Sequence, residues 1–331
     1  MPTSRPVLTL GGLGVAALVL SACGGAADGG GVDDVDADGD IVVVASTDVY
    51  ADLTAGVVGD RAEVEAVIDD AAVDPHSYEA TPQDRLAVEG ADVIIANGGG
   101  YDPFLTDLAA SADREDRVVR LVEGEGDHDH DHDHDHDHDH EDGDEHDEHD
   151  HDDGYEDEHV WYDLDRMEEF VLEFGDLMAE LDGDHADQYR GEAESLAEEI
   201  AALSDRAAAV DAEGLSYLAT EPASQHLLHL AGFADETDPQ FLAAVEHGDD
   251  VSPRLHRQAL DTASAGEIDL LAFTVQTETA QARAVRAAAE DAGVPVLEFS
   301  ETVPEEHEGY LDWMEANIDA VEELAEDAHG G

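Results

Sequence analysis

Short apolar, β-branched runs alternate with longer amphipathic stretches along most of the chain. Residues 41–45 (IVVVA), 64–68 (VEAVI), 93–96 (VIIA) and 118–122 (VVRLV) read as strands. Residues 50–58 between them read as helix. Thr81-Pro82-Gln83-Asp84 opens another, because Thr can cap a helix and Pro fits its first turn. The second half repeats this grammar. Residues 215–220 (LSYLAT), 270–274 (LLAFT) and 294–299 (VPVLEF) are strand candidates, and Leu311, Met314, Ile318, Val321 and Leu324 line one face of a closing helix.

The clearest helix spans residues 184–211. Tyr189, Ala193, Leu196, Ile200, Leu203, Ala207 and Val210 step by three and four along it. At about 1.5 Å per residue it would run about 40 Å. Strands separated by helical stretches predict parallel βα units. The expected fold class is therefore α/β: two lobes, each a small, mainly parallel sheet flanked by helices, joined by one long spine helix. The expected boundaries are 41–183 for the first lobe, 184–212 for the linker helix and 213–327 for the second lobe. The two halves share an architecture, but no internal sequence repeat is visible.

One segment breaks the pattern. Residues 127–158 contain no apolar residue from Asp127 to Gly154. Such a segment buries too little to offset its ordering entropy, so a disordered insertion is expected. Seven of its histidines (His128, His130, His132, His134, His136, His138 and His140) alternate with aspartates; His146, His149 and His151 follow among acids. In an extended chain that alternation places imidazoles on one side and carboxylates on the other. A mobile comb of this kind can catch a metal in many registers and impose no single geometry. Nearby aspartates favour protonated imidazole, so protons compete with metal as pH falls. The expectation is an auxiliary metal collector, weighed against a solvated insertion without function.

Charge confirms that the acidity is global. The 331 residues carry 86 Asp and Glu against 13 basic residues, all Arg, for a net charge of −73. Without residues 127–158 the balance is 67 acids to 13 bases, still −54. Such a surface repels nucleic acid and anionic lipid. It fits the solvated coat of a salt-adapted protein.

Residues 1–22 place one Arg before an apolar run and then small residues, a secretory signal pattern. Leu20-Ser21-Ala22-Cys23 resembles a bacterial-type lipobox, which implies cleavage before Cys23 and a lipid on its sulfur. Cys23 is the sole cysteine, so internal disulfides and Cys-based metal sites are excluded. Residues 23–40, rich in Gly and Asp, read as a flexible tether.

Four spots carry a candidate metal ligand in a loop or just after a strand, where ligands of parallel sheets gather. His76 lies in DPHSYEATP, where Pro75 stiffens the backbone before it; by itself it could equally be a surface-loop histidine. His159 lies in EHVWYD and is the one histidine of its cluster attached to packable apolar sequence. Glu221 and Glu301 emerge from the ends of the 215–220 and 294–299 strands, in TEP and FSETVP. A carboxylate at such a place needs a partner: a cation, or a helix N-terminus. His226 and His229 follow Glu221 on a helix. His185, His247, His256, His307 and His329 lack convergent partners and are expected at the surface.

DPHSYEATPQD, EHVWYD, TEP and FSETVP, in this order, resemble the zinc/manganese solute-binding lipoproteins of ABC importers (ZnuA/TroA-like), over residues 41 to about 327. The resemblance implies a metal in the cleft between two lobes, held by His76 and His159 from the first and Glu221 and Glu301 from the second. In zinc-type members the position of Glu221 is commonly His and the last ligand commonly Asp; here both are Glu, closer to the manganese-type set. The function it implies is capture of Zn²⁺, alternatively Mn²⁺, outside the cell and delivery to a membrane permease and its ATPase. The receptor would be a monomer anchored by lipid on Cys23 to the extracytoplasmic face of the membrane, with no role for nucleic acid. It would not be an enzyme. A metallohydrolase is the rival class, but there is no HExxH, and strict alternation in the tract puts His where HxHxDH needs Asp. An extracellular zinc buffer is a third reading.

Overall fold

The computed structural model describes residues 41–122, 158–246, 251–277 and 279–330. The signal, the tether, the ten tract histidines and His247 lie outside them.

The first lobe is a parallel sheet of order β2-β1-β3-β4, made of β1 (Ile41–Thr47), β2 (Ala62–Ile68), β3 (Val93–Gly98) and β4 (Val118–Val122). Its crossovers are α1 (Asp48–Val58), α2 (Pro82–Gly90) and α3 (Pro103–Ser111). β1 from Val43 onward and all of β3 are buried because helices cover both faces of the sheet. The Thr81 hydroxyl accepts from the Gln83 and Asp84 amides, while Asp84 accepts from the Thr81 amide, closing a capping box at the start of α2.

The second lobe repeats the topology, with order β6-β5-β7-β8: β5 (Ser216–Ala219), β6 (Ala234–Asp235), β7 (Leu270–Thr274) and β8 (Val296–Phe299), again all parallel. The repeat lives in strand order alone, which is why the sequence does not display it. α6 (Gln225–Leu230), α7 (Pro239–Glu246), α8 (Pro253–Ala265) and α9 (Ala280–Ala292) surround it, and α10 (Tyr310–Gly330) closes the chain.

Two expectations change. The long helix, α5 (Ala186–Ala208), has 23 residues, about 35 Å, and stops short of Val210. It is also not a lone rod. α4 (Leu164–Leu181), which the sequence reading left unassigned, lies along it. Leu164, Met167, Phe170, Val171, Phe174 and Met178 bury one stripe of α4. The crossing is close at Gly175, where a Cβ would lie 2.5 Å from the Ala193 Cβ.

α5 touches α1 and α4 on one side and α6 and α10 on the other, so one apolar core continues from the first lobe into the second. Polar ties add to it. The Tyr162 hydroxyl donates to the Ser300 carbonyl at 2.9 Å, and the Tyr310 hydroxyl to the Trp161 carbonyl at 2.7 Å. Asp48 and Asp52 of α1 accept from the backbone amides of Val303 (3.2 Å) and Tyr310 (2.8 Å).

Candidate metal centre

Glu221 and Glu301 stand at the carboxyl ends of two strands of the second lobe, and His76 and His159 lie beside short turns of the first. His76 sits in a single 3-10 turn, Pro75–Ser77, beyond β2. Asp74 caps that turn by accepting from the His76 amide at 3.0 Å, and Pro75 fixes its first residue. His159 precedes the 3-10 turn Val160–Tyr162, whose three side chains are all buried. Glu221 follows β5 and Glu301 follows β8.

The four side chains converge. One ligand atom from each of His76, His159, Glu221 and Glu301 lies within 4.8 Å of the others. His159, Glu221 and Glu301 are buried, while the His76 side chain keeps 18% of its surface exposed at the mouth. His76 Nε2 stands 3.5 Å from Glu301 Oε2. Neither that nitrogen nor either Glu301 carboxylate oxygen has a hydrogen-bond partner. Buried polar atoms aimed at one another without donors are costly unless something charged sits between them.

Aromatic rings form the wall. Tyr101 meets His76 edge-on at 5.0 Å between centroids and Trp161 at 4.8 Å, and Trp161 meets His159 at 5.2 Å. These contacts limit how far either imidazole can turn. The loop after β7 supports the second lobe's pair. The Thr277 hydroxyl donates to Glu221 Oε2, and Gln276 Oε1 accepts from the Glu301 amide at 3.3 Å. Gln276 Nε2 also donates to the Ala71 carbonyl of the first lobe at 3.2 Å.

The electrostatics of the four side chains suit a dication. Burial, and then the Glu221 charge, push the Glu301 carboxyl well above the usual range. Burial also raises Glu221, against partial relief from His159 and from the Thr277 hydroxyl. His76 is lowered to about 4, by burial first and then by His159, against the pull of Asp74. The histidine is thus a neutral imidazole at neutral pH, with a lone pair available to a cation. The carboxylates are acids that a cation would ionise.

The other described histidines stay apart from these four. His226 Nδ1 faces Asp163 Oδ2 at 3.6 Å, and His229 Nε2 meets the Tyr217 hydroxyl at 3.2 Å. His185 and His329 are exposed. His256 and His307 are half-buried rather than on the surface; Asp312 draws His307 in at 2.9 Å. Sequence reasoning missed Tyr101, Gln276, Thr277 and Glu158. Glu158 was counted with the tract, although it directly precedes His159.

The chain was compared with known proteins. The family model described as zinc-uptake complex component A, periplasmic, matches residues 43–324. The manganese-binding lipoprotein MntA of Halalkalibacterium halodurans is 25% identical over 314 residues, covering 92% of this chain and 94% of that one. The manganese ABC transporter substrate-binding lipoprotein PsaA of Streptococcus pneumoniae is 28% identical over 106 residues, 31% of this chain and 32% of its own. Among solved structures, the periplasmic zinc-binding protein TroA of Treponema pallidum superposes with a TM-score of 0.66 at 15% identity, covering 87% of this chain and 99% of that one. FpvC of Pseudomonas aeruginosa in complex with Mn²⁺ gives 0.66 at 19%, covering 88% and 100%. These structures share the two-lobed fold. With its family model matched from the first strand into the last helix, the chain belongs to the ZnuA family of zinc-uptake component A proteins.

Proposed function

We propose that this protein is the extracytoplasmic solute-binding component of a metal ABC importer, and that its cleft binds one Zn²⁺ through His76, His159, Glu221 and Glu301. The observation that carries the reading is the convergence of these four side chains, two from each half of the chain, with ligand atoms within 4.8 Å. Two neutral imidazoles and two carboxylates compensate a dication and satisfy tetrahedral zinc. Binding and release without bond cleavage is the whole task. A permease and its ATPase receive the metal, and the receptor works as a monomer.

Residues 1–22 act as the signal, Cys23 carries the lipid, and 23–40 tether the lobes to the membrane. His128, His130, His132, His134, His136, His138, His140, His146, His149 and His151 gather metal beside the cleft. Mn²⁺ is the second reading. Both Glu301 oxygens are free of hydrogen bonds and could bind together, which suits the higher coordination of manganese. The relative matched along almost its whole length is named for manganese. The affinity order of divalent metals favours zinc at the same ligands.

The test is a competition titration with Zn²⁺ and Mn²⁺ on the lobes with residues 127–154 deleted, in high salt. One tight equivalent that disappears in His76→Ala and in Glu221→Ala supports the cleft, and the winning metal names the cargo. Loss of all tight binding on deletion alone would make the tract the site and the protein a buffer.

A further inference from the structure

Four ligands account for the cleft, but a fifth acidic side chain reaches it. Glu158 Oε1 stands 3.4 Å from His76 Nδ1, on the side of the ring away from Glu301. Glu158 is buried, with 7% of its surface exposed. Its place is built rather than incidental. The Asn97 amide group donates to the Glu158 carbonyl at 2.8 Å, and Asn97 Oδ1 accepts from the buried Tyr50 hydroxyl. Asp102 holds the turn below it, accepting from the Asn97 amide at 2.6 Å and the Gly98 amide at 3.0 Å. The chain then passes through Gly98, Gly99 and Gly100, all at positive φ. A Cβ at Gly99 would lie 3.2 Å from the Glu158 Cβ, and one at Gly100 would lie 3.3 Å from Glu158 Oε2. The glycines let Glu158 lie close over the turn.

A neutral imidazole carries one proton, and the group facing one nitrogen decides which nitrogen is left to coordinate. His76 Nε2 is buried, has no hydrogen-bond partner and points at Glu301, while Nδ1 points at a carboxylate. We propose that Glu158 is a positioning residue of the cleft: its carboxylate accepts a hydrogen bond from the Nδ1–H of His76 and so fixes the tautomer that presents Nε2 to the metal. This rests on the reading of the cleft as a divalent-metal site. The 3.4 Å separation is a few tenths of an ångström longer than a formed N–H···O bond. A small rotation of the ring as Nε2 is drawn to a cation closes it. His76 is the ligand that most needs such a guide, because it is the most exposed of the four and sits in one short turn.

The experiment uses the full mature chain with Zn²⁺ as the probe, read by competition against a chromophoric chelator. A tight equivalent, beyond what the tract's histidines take up, that His76→Ala removes is established first; its absence would overturn the cleft reading itself, separately from this one. Glu158→Ala is then expected to weaken the tight equivalent about 10- to 100-fold, as loss of the outer partner of a metal-bound histidine does. Glu158→Gln keeps the shape and an oxygen that accepts Nδ1–H, so it is expected to recover most of that loss.

Long-range ¹H–¹⁵N spectra of histidine-labelled protein, with His76 assigned through its alanine variant, report the tautomer directly. Wild type and Glu158→Gln should coordinate through Nε2, and Glu158→Ala should lose that uniformity. The proposal is overturned if Glu158→Ala binds within about twofold of wild type with His76 still on Nε2. It is equally overturned if Glu158→Gln is as weak as Glu158→Ala, which would make Glu158 a ligand or a simple charge. Glu158→Gln preserves the packing against Gly99, so a folding defect in the alanine variant leaves the test intact.

Discussion

Replacing Glu301 by Gln removes one of two carboxylates that face each other in a water-poor cleft. Both are pushed upward chiefly by burial, and Glu301 well beyond the ordinary carboxylate range, with the Glu221 charge as its next cause. Burial thus favours a carboxyl that keeps its proton in the metal-free cleft, and a dication must displace that proton. One displaced proton makes affinity fall about tenfold for each unit of acidification, equivalent to about 1.4 kcal/mol. His76 adds nothing to this slope above pH 5, because its own protonation is held down to about 4. The assay is calorimetric titration of Zn²⁺ in buffers of different ionisation enthalpy between pH 6 and 8, with residues 127–154 removed so that the tract's histidines do not contribute. The expected release is about one proton per metal in the parent protein. Glu301→Gln, whose residual binding meets only Glu221, should release distinctly less. A parent affinity that does not change over this range, or a slope that survives Glu301→Gln, would refute the reasoning.

The same groups set the stability of the metal-free protein. A carboxyl whose folded pKa is raised stabilises fully below its unfolded value and loses that contribution as pH rises through the folded one. Glu301 and Glu221 have this sign, and so does Asp48, raised to about 6 mainly by burial, although its share is lost mostly below pH 6. The metal-free melting temperature should therefore fall from pH 6 to pH 8, and the increase on adding Zn²⁺ should be larger at pH 8; a metal-free protein that becomes more stable over that interval contradicts it. Thr277→Val removes the hydroxyl that holds Glu221, a hydrogen bond worth about 1.5–3 kcal/mol where the group is charged, and should both weaken metal binding and lower the metal-free melting temperature. Gly175→Ala should destabilise by about 1–3 kcal/mol in denaturant unfolding despite its gain in helix propensity, because the new methyl meets Ala193, and Ala193→Gly in the same chain should recover part of the loss. Small-angle scattering with and without metal should superpose closely, since one apolar core and the α4–α5 pair bind both lobes; a large domain rotation would rule that out.

Much of the fold was legible because the local signals agree with the tertiary outcome. β1, β3 and β7 are continuous apolar runs, and the strands found there include the predicted ones. The capping box at Thr81 and the stripe of α10 are local patterns that need no partner to be recognised. The apolar stripe of α4, which is not among the elements expected from sequence, is an equally local pattern that follows directly on the acidic tract. β6 is different: two residues that pair with β5 carry no periodic signal, so only the sheet defines them.

The sequence alone determined which residues carry metal-ligating side chains and that two βα-rich halves flank a long helix. Residue type and periodicity are local properties, and they survive without coordinates. The tertiary structure decided that residues 76, 159, 221 and 301 meet, because they come from four separate segments brought together by a core that both lobes share. It also separated Glu158 from the tract that precedes it. The carboxylate is set against His76 by the Asn97 side chain and the Gly98–Gly100 turn, contacts made across a sequence separation that no local pattern encodes.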